Sequence, residues 1–241
     1  KFRFDPGAIR GAAFALVAAL GLTAGPAGGQ TGIDPDAEAA LKSMTQYLGA
    51  LPAFSVNADV DVEFIDTAGQ KLQLSSSGKI VMARPASYYA KRSGPFGSFE
   101  LFIDGKTSTL YSQQRGAYFQ VATPGPIEVA IDALRIETGL ELSGADLLYA
   151  EAYAGLVTDV TSGAHYGTAY VDGVECTHLA FRAAKVDWQI WIQTGAKPLP
   201  MKYIITTKWM TGAPEYSVRF SDWDTQPAIQ AGKFTFVPPA G

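Results

Sequence analysis

His165 and His178 are the only histidines in a chain of 241 residues, and Cys176 is its single cysteine. Cys176 and His178 stand two positions apart. On a strand, both side chains leave by the same face and can meet one ion. Two ligands do not make a metal site, and no further donor stands at ligand spacing. The plainer reading is a small buried thiol beside an ordinary sheet histidine. Asp59, Asp61 and Glu63 recur at every second position. Carboxylates sharing a face can bind calcium or divide acid and base work. They can equally form the solvated side of a strand whose other side is apolar. Asp34 and Asp36 begin a calcium-loop spacing that fails after them. Ser75-Ser76-Ser77-Gly78 lacks the glycine ahead of the serine that a nucleophile elbow requires. No glycine-rich phosphate loop precedes a helix. The residues offer no catalytic set, no metal site and no cofactor site, so the expectation is a protein that is not an enzyme.

Apolar surface is plentiful instead. Trp188, Trp191, Trp209 and Trp223 lie in the second half, and Tyr88, Tyr89, Phe96, Phe99, Phe102, Tyr118 and Phe119 in the first. Trp188 and Trp191 point to opposite faces of a strand, so at most one of them enters the interior. These aromatics read either as ordinary core packing or as the wall of a cavity.

The elements that would position them follow from hydrophobic period. Residues 34–51 read as a helix with Asp34 as N-cap and Pro35 at the first helical position. Leu41, Met44, Leu48 and Leu51 form its apolar stripe. The period then changes to two. Phe54, Val56, Ala58, Val60, Val62 and Phe64 share one face of a long strand, and Ser55, Asn57, Asp59, Asp61 and Glu63 share the other. A turn at 67–70 returns the chain into 71–84, where Leu72, Leu74, Ile80 and Met82 alternate. Strands follow at 87–91, 98–103, 107–112 and 117–122, with Asp104-Gly105 and Arg115-Gly116 as hairpin signals. Pro124-Gly125-Pro126 opens a helix over 127–142, with Ile127, Ala130, Ile131 and Leu134 on one face. A short second helix is expected within 144–155. Strands return at 157–168, 175–182, 188–193, 201–209 and 217–222, with a last short one at 234–237.

Residues 1–30 read as a secretory signal peptide. Lys1, Arg3 and Arg10 supply a basic head, Ala12–Leu22 an apolar run, and small residues the exit. The run is shorter than the roughly 20 residues that span a bilayer. An uncut anchor or a buried helix is the other reading of this stretch. Cleavage is expected between Ala27 and Gln30, with no cysteine nearby to carry a lipid. The chain has formal charge −4, and residues 1–30 hold three basic and one acidic side chain, leaving −6 for the remainder. An acidic domain without a basic stripe argues against nucleic acid and against electrostatic docking on anionic membranes. One cysteine excludes an internal disulfide, so the core must hold the fold. No linker divides residues 31–241, which read as one domain.

An antiparallel sheet this long has to bury its dry face, and the helices are too few to form a layer of their own. The expected fold is mainly β with a few helices: a curved antiparallel half-barrel with helices lying across its concave side. Met44-Thr-Gln-Tyr-Leu48, Val186-Asp-Trp-Gln-Ile-Trp-Ile192, Pro198-Leu-Pro-Met-Lys-Tyr203 and Phe234-Thr-Phe-Val-Pro-Pro-Ala-Gly241 together resemble the DUF2092 family of predicted periplasmic proteins. The Phe-x-Phe-x-Pro-Pro ending also resembles LolA, LolB and their relatives, the lipoprotein localisation factors. The resemblance implies a half-barrel with a helical lid over a hydrophobic cavity able to take acyl chains. No motif matches the lipoprotein-binding residues of the true carriers, so none is transferred.

The cavity candidates are the dry strand faces and the stripe of the interrupting helix: Val56, Val60, Val62, Phe64, Leu74, Met82, Ile127, Ile131, Leu134, Ile190 and Ile192. The expected function is a periplasmic, non-catalytic carrier that holds a lipid or a lipidated protein by burial. It would have no stable transmembrane anchor after signal cleavage. The alternative is an envelope protein–protein interaction or sensory module of the same fold without lipid cargo.

Overall fold

Alternation in the sequence becomes a single sheet. After a two-residue strand β1 (Gly32–Ile33) and helix α1 (Pro35–Ala50), a meander runs through β2 (Ala53–Ile65), β3 (Lys71–Ala83), β4 (Ser87–Gly94), β5 (Gly97–Asp104), β6 (Thr107–Ser112) and β7 (Ala117–Ala122). Helix α2 (Ile127–Thr138), a 3-10 turn at Ala145–Leu148 and helix α3 (Ala152–Val157) interrupt it. A second meander follows: β8 (Val160–Val171), β9 (Val174–Ala183), β10 (Val186–Gln193), β11 (Pro200–Thr207) and β12 (Glu215–Asp224). The computed structural model describes residues 32–95, 97–138 and 144–239. The expected leader, Phe96, and the end of the helix expected to reach Leu142 lie outside them.

The twelve strands form one sheet in the order β1-β8-β9-β10-β11-β12-β2-β3-β4-β5-β6-β7. β12 joins the two meanders by pairing antiparallel with β2, with Val218 opposite Val60 and Phe220 opposite Ala58. β1 pairs parallel with β8, a contact too short to announce itself in the sequence.

Register assigns the faces. Phe54, Val56, Ala58 and Val60 stand opposite Met82, Ile80, Gly78 and Ser76. Those in turn face Tyr88, Ala90 and Arg92 on β4. This is the concave face, and the helices pack on it. α1 starts where Asp34 accepts the N–H groups of Asp36 and Ala37 at 2.8 and 3.2 Å, the N-cap arrangement its sequence specifies. Its Ala37, Leu41, Met44 and Leu48 have no exposed surface. α2 starts where the Ile127 N–H donates to Pro85 O, and buries Ile127, Ala130, Ile131 and Leu134.

Curvature has a local cause. A β-carbon on Gly78 would lie 2.4 Å from the Lys91 carbonyl oxygen, and one on Gly94 would lie 2.6 Å from the Ser76 side chain. These glycines let β3 and β4 approach more closely than side chains allow, as at a barrel corner.

Four sequence expectations are corrected. The ending 234–237 is not a strand. A turn at 231–234 leads into an unpaired tail, because Pro238 and Pro239 lack the N–H groups a ladder needs and ring contacts anchor the tail instead. Phe236 lies against Phe102, Tyr111 and Tyr118 on the outer face, at centroid distances of 5.4, 5.5 and 4.8 Å. The strand expected from Val157 begins at Val160, since α3 runs on through Val157 with Leu156 buried. The short helix expected in 144–155 divides into the 3-10 turn and α3. The strand expected to reach Trp209 stops at Thr207, leaving Trp209 70% exposed in the turn.

Replacing Gly78 by Ala should therefore destabilise the domain by about 2–3 kcal/mol, lowering the melting temperature by roughly 4–12 °C. Gly155→Ala, where a β-carbon meets nothing within 4 Å, should melt no lower than the parent in the same thermal scan.

Candidate functional site

The helices meet the sheet through Arg84. This residue closes β3 at the end of the sheet where the helices begin and end. Its side chain is only 12% exposed. Nη2 donates to Leu48 O at the end of α1 and to Leu148 O at the end of the 3-10 turn, at 3.4 and 2.8 Å. Nη1 lies 3.8 Å from Glu128 on α2, and Glu128 accepts the Ala150 N–H at 2.8 Å. Burial holds the Arg84 pKa below its ordinary value and Glu128 opposes that shift. Its Nε is buried without a partner. The helices also bind one another. The Tyr153 hydroxyl of α3 donates to Glu38 of α1 at 2.8 Å. Gly49 brings α1 so near Ala150 that a β-carbon there would stand 2.3 Å from its carbonyl oxygen.

Under the helices the concave face is filled. Val56, Val60, Met82, Ile127, Ile131, Leu134, Ile190 and Ile192 are all at most 7% exposed and belong to the main core. Trp188 lies in that core, stacked on Phe181 with centroids 3.9 Å apart. Trp191 lies on the other face, stacked on His178 at 4.2 Å.

From Val62 onward the same face passes from core to part-buried surface. Val62, Phe64 and Leu74 are part-buried. Leu72 shares their condition and stands opposite Phe64. On the far strands Phe99 is part-buried in the row of Ala58, Gly78 and Arg92, while Leu110 packs against the core in the row of Val56, Ile80 and Leu101, with Phe119 of β7 opposite it and 45% exposed. Tyr216 of β12 stands opposite Val62 and bounds the trough on its other side. The eleven sequence-chosen residues thus divide into eight inside the packed core and three in an apolar trough. Leu72 belongs to the trough as well. The period-two signal that marks Leu74 marks Leu72 equally.

The polar candidates do not converge on the trough. Among the described residues no group of three or more His, Cys, Asp or Glu could hold a metal ion. Cys176 is buried beside Val171 and Met201, and burial raises its pKa. His178 bonds Gln189 at 3.0 Å, and burial lowers its pKa. His165 is exposed on β8. Asp61 accepts the Ser75 hydroxyl at 2.5 Å, and Glu63 pairs with Lys71 at 3.0 Å, both on the outer face. Outside the trough, a cleft of about 500 Å³ lies between Tyr47, Leu51 and Trp223 at the near rim.

Residues 37–241 match the profile of the family described as DUF2092, predicted periplasmic protein. The chain belongs to the DUF2092 family. No curated protein matches it. Among solved structures, this DUF2092 protein is similar to Mycobacterium tuberculosis lipoprotein LppX. The two are 14% identical over 81% of this chain and 98% of LppX, with a TM-score of 0.52. LprF from Mycobacterium bovis gives 14% identity over 83% of this chain and 98% of LprF, also with a TM-score of 0.52. A LolA-superfamily protein from Nitrosomonas europaea gives 9% identity over 83% of this chain and 97% of that one, with a TM-score of 0.42. The DUF2092 chain therefore shares its fold with LppX and LprF. No helix among the described residues is long and apolar enough to cross a membrane.

Arg84→Met should remove charge-assisted bonds to two helix-end carbonyls and cost about 2–3 kcal/mol, or roughly 4–12 °C in melting temperature. Amide hydrogen exchange should rise in α2 and around Leu148 while β2 and β3 stay protected. Uniform loss of protection would show that Arg84 does not act locally on the helices.

Proposed function

We propose that this DUF2092 protein is a non-catalytic binding protein of the periplasm that takes the acyl chain of a lipid or lipidated protein onto its concave face. The observation that carries this reading is the continuation of the dry face past the helices into the part-exposed surface of Val62, Phe64, Leu72 and Leu74. An apolar trough bordering a packed core can receive a hydrocarbon chain by burial alone. Each methylene withdrawn from water contributes about 0.8 kcal/mol. The leader-like residues 1–30 and the family's description as periplasmic support an exported location. The interior is filled in this state, so a long chain extends from the trough under the helices by displacing α2. Pro124-Gly125-Pro126 precedes that helix, and Val129 and Ile136 on its outward side are 50% and 81% exposed.

The experiment is displacement of a fluorescent fatty acid from the purified protein by the series decanoate to palmitate. Affinity should rise about fourfold per added methylene. Leu74→Glu should weaken palmitate by at least tenfold without unfolding the domain. Affinity independent of chain length would overturn the reading.

The expected alternative, a protein-interaction module, is favoured by a different observation. β7 is an edge strand of the sheet. Its sequence Ala117-Tyr-Phe-Gln-Val-Ala122 carries no charge or proline, and Tyr118 and Phe119 are 49% and 45% exposed. Such an edge can accept a partner strand. On this reading, a photo-crosslinker at Gln120 should give one specific adduct in the envelope. Tyr118→Lys should abolish that adduct while leaving fatty-acid displacement unchanged. Absence of any adduct would dispose of this second reading.

A further inference from the structure

Clear of the helices, Arg92 brings a cation onto the dry face. Tyr88, Ala90 and Arg92 alternate along β4 on its concave side, with Arg92 opposite Gly78 on β3 and Phe99 on β5. Tyr88 is buried and Ala90 packs against the core, whereas Arg92 is exposed. A charged residue at a position the strand pattern reserves for the dry side breaks local consistency, and such breaks concentrate at functional sites.

The guanidinium is aimed rather than loose. Its Nε donates to Ser76 Oγ at 2.6 Å, and Ser76 Oγ donates to Val60 O at 3.3 Å. Ser76 is thereby fixed by the backbone of β2 and holds Arg92 by one edge. Both Nη groups remain as a planar fork. Among the described residues no carboxylate lies within salt-bridge distance of Arg92, although the chain as a whole is acidic. Across the trough, Tyr216 has its pKa pushed up to about 12 by burial, with Arg92 opposing the shift. By register Tyr216 stands in the row of Val62 and Leu74, and Arg92 stands two dry-face rows further along, opposite Gly78. A free guanidinium fork suits a carboxylate or a phosphate, which it can bind through two parallel hydrogen bonds.

We propose that Arg92 is the head-group site of the trough, and that the guest is an amphiphile whose anionic head, carboxylate or phosphate, bonds this guanidinium while its chain lies along Val62, Phe64, Leu72 and Leu74. This rests on the acyl-chain reading above and adds to it the charge of the cargo.

The test compares palmitate, hexadecyl phosphate and hexadecanol by displacement of a fluorescent probe from the parent protein, Arg92→Gln and Arg92→Lys. Melting curves confirm that the variants fold. In the parent, at least one anionic ligand should bind about tenfold or more tighter than hexadecanol. Arg92→Gln should abolish that preference and leave hexadecanol unchanged. Arg92→Lys should retain part of it. The tighter of the two anions identifies the head as carboxylate or phosphate. If hexadecanol binds the parent as well as both anions do, the head-group site is overturned and the acyl-chain reading stands. If none of the three binds, both fall. A dimer in sedimentation that Arg92→Gln disperses and palmitate does not would overturn the proposal in favour of a second copy of the chain.

Discussion

A sheet with one dry face needs a cover, and the cover must be attached somewhere. Here the attachment is polar and concentrated on the guanidinium of Arg84, which binds the ends of α1 and the 3-10 turn and lies beside Glu128 of α2. Helix ends are where backbone carbonyls lack partners within the helix. A planar cation with several donors can satisfy two such ends together. Apolar packing supplies most of the energy beneath the helices, but it is non-directional. Arg84 supplies direction, setting where the helices stop and how much of the concave face they leave uncovered.

That division creates two environments on one surface. Beneath the helices the side chains leave almost no exposed surface and behave as an ordinary close-packed interior. Past the helices the same alternation continues without the same cover. Nothing in β2 changes in type between Val60 and Val62, yet one is core and the other part-exposed. The difference lies in what crosses above them. Function is assigned to this boundary because apolar surface there can gain from further burial, whereas the core has already gained it.

Much of this was legible from spacing. The N-cap of α1, the limits of β6 and β7, and the opposite outlooks of Trp188 and Trp191 follow from period and cap chemistry. The dry face of β2 was also readable, but not which part of it would be covered. Coverage depends on contacts between residues far apart in the chain, such as Arg84 with Leu148. Arg84 itself precedes a proline at the end of a strand, where an arginine reads as a solvated terminus. Arg92 was equally hidden, since its face is set by pairing with Gly78 and not by its own neighbours. The tail misled in the opposite way: Phe234-Thr-Phe-Val237 alternates as a strand does, but the pattern there seats Phe236 among rings.

The tail also affects how the molecule can move. Phe236 rests on Phe102, Tyr111 and Tyr118, and the Lys233 ammonium lies 3.3 Å from the ring centre of Tyr89, so a second layer of chain is laminated onto the back of β4 to β7. A single sheet bows readily about an axis along its strands, but a two-ply one resists because its layers would have to slide. The part of the sheet from β4 to β7, which carries Arg92, is thus a stiffened plate. Widening the trough falls to the helices at its edge, and the plate keeps the spacing between Arg92 and its neighbouring strands constant while they move.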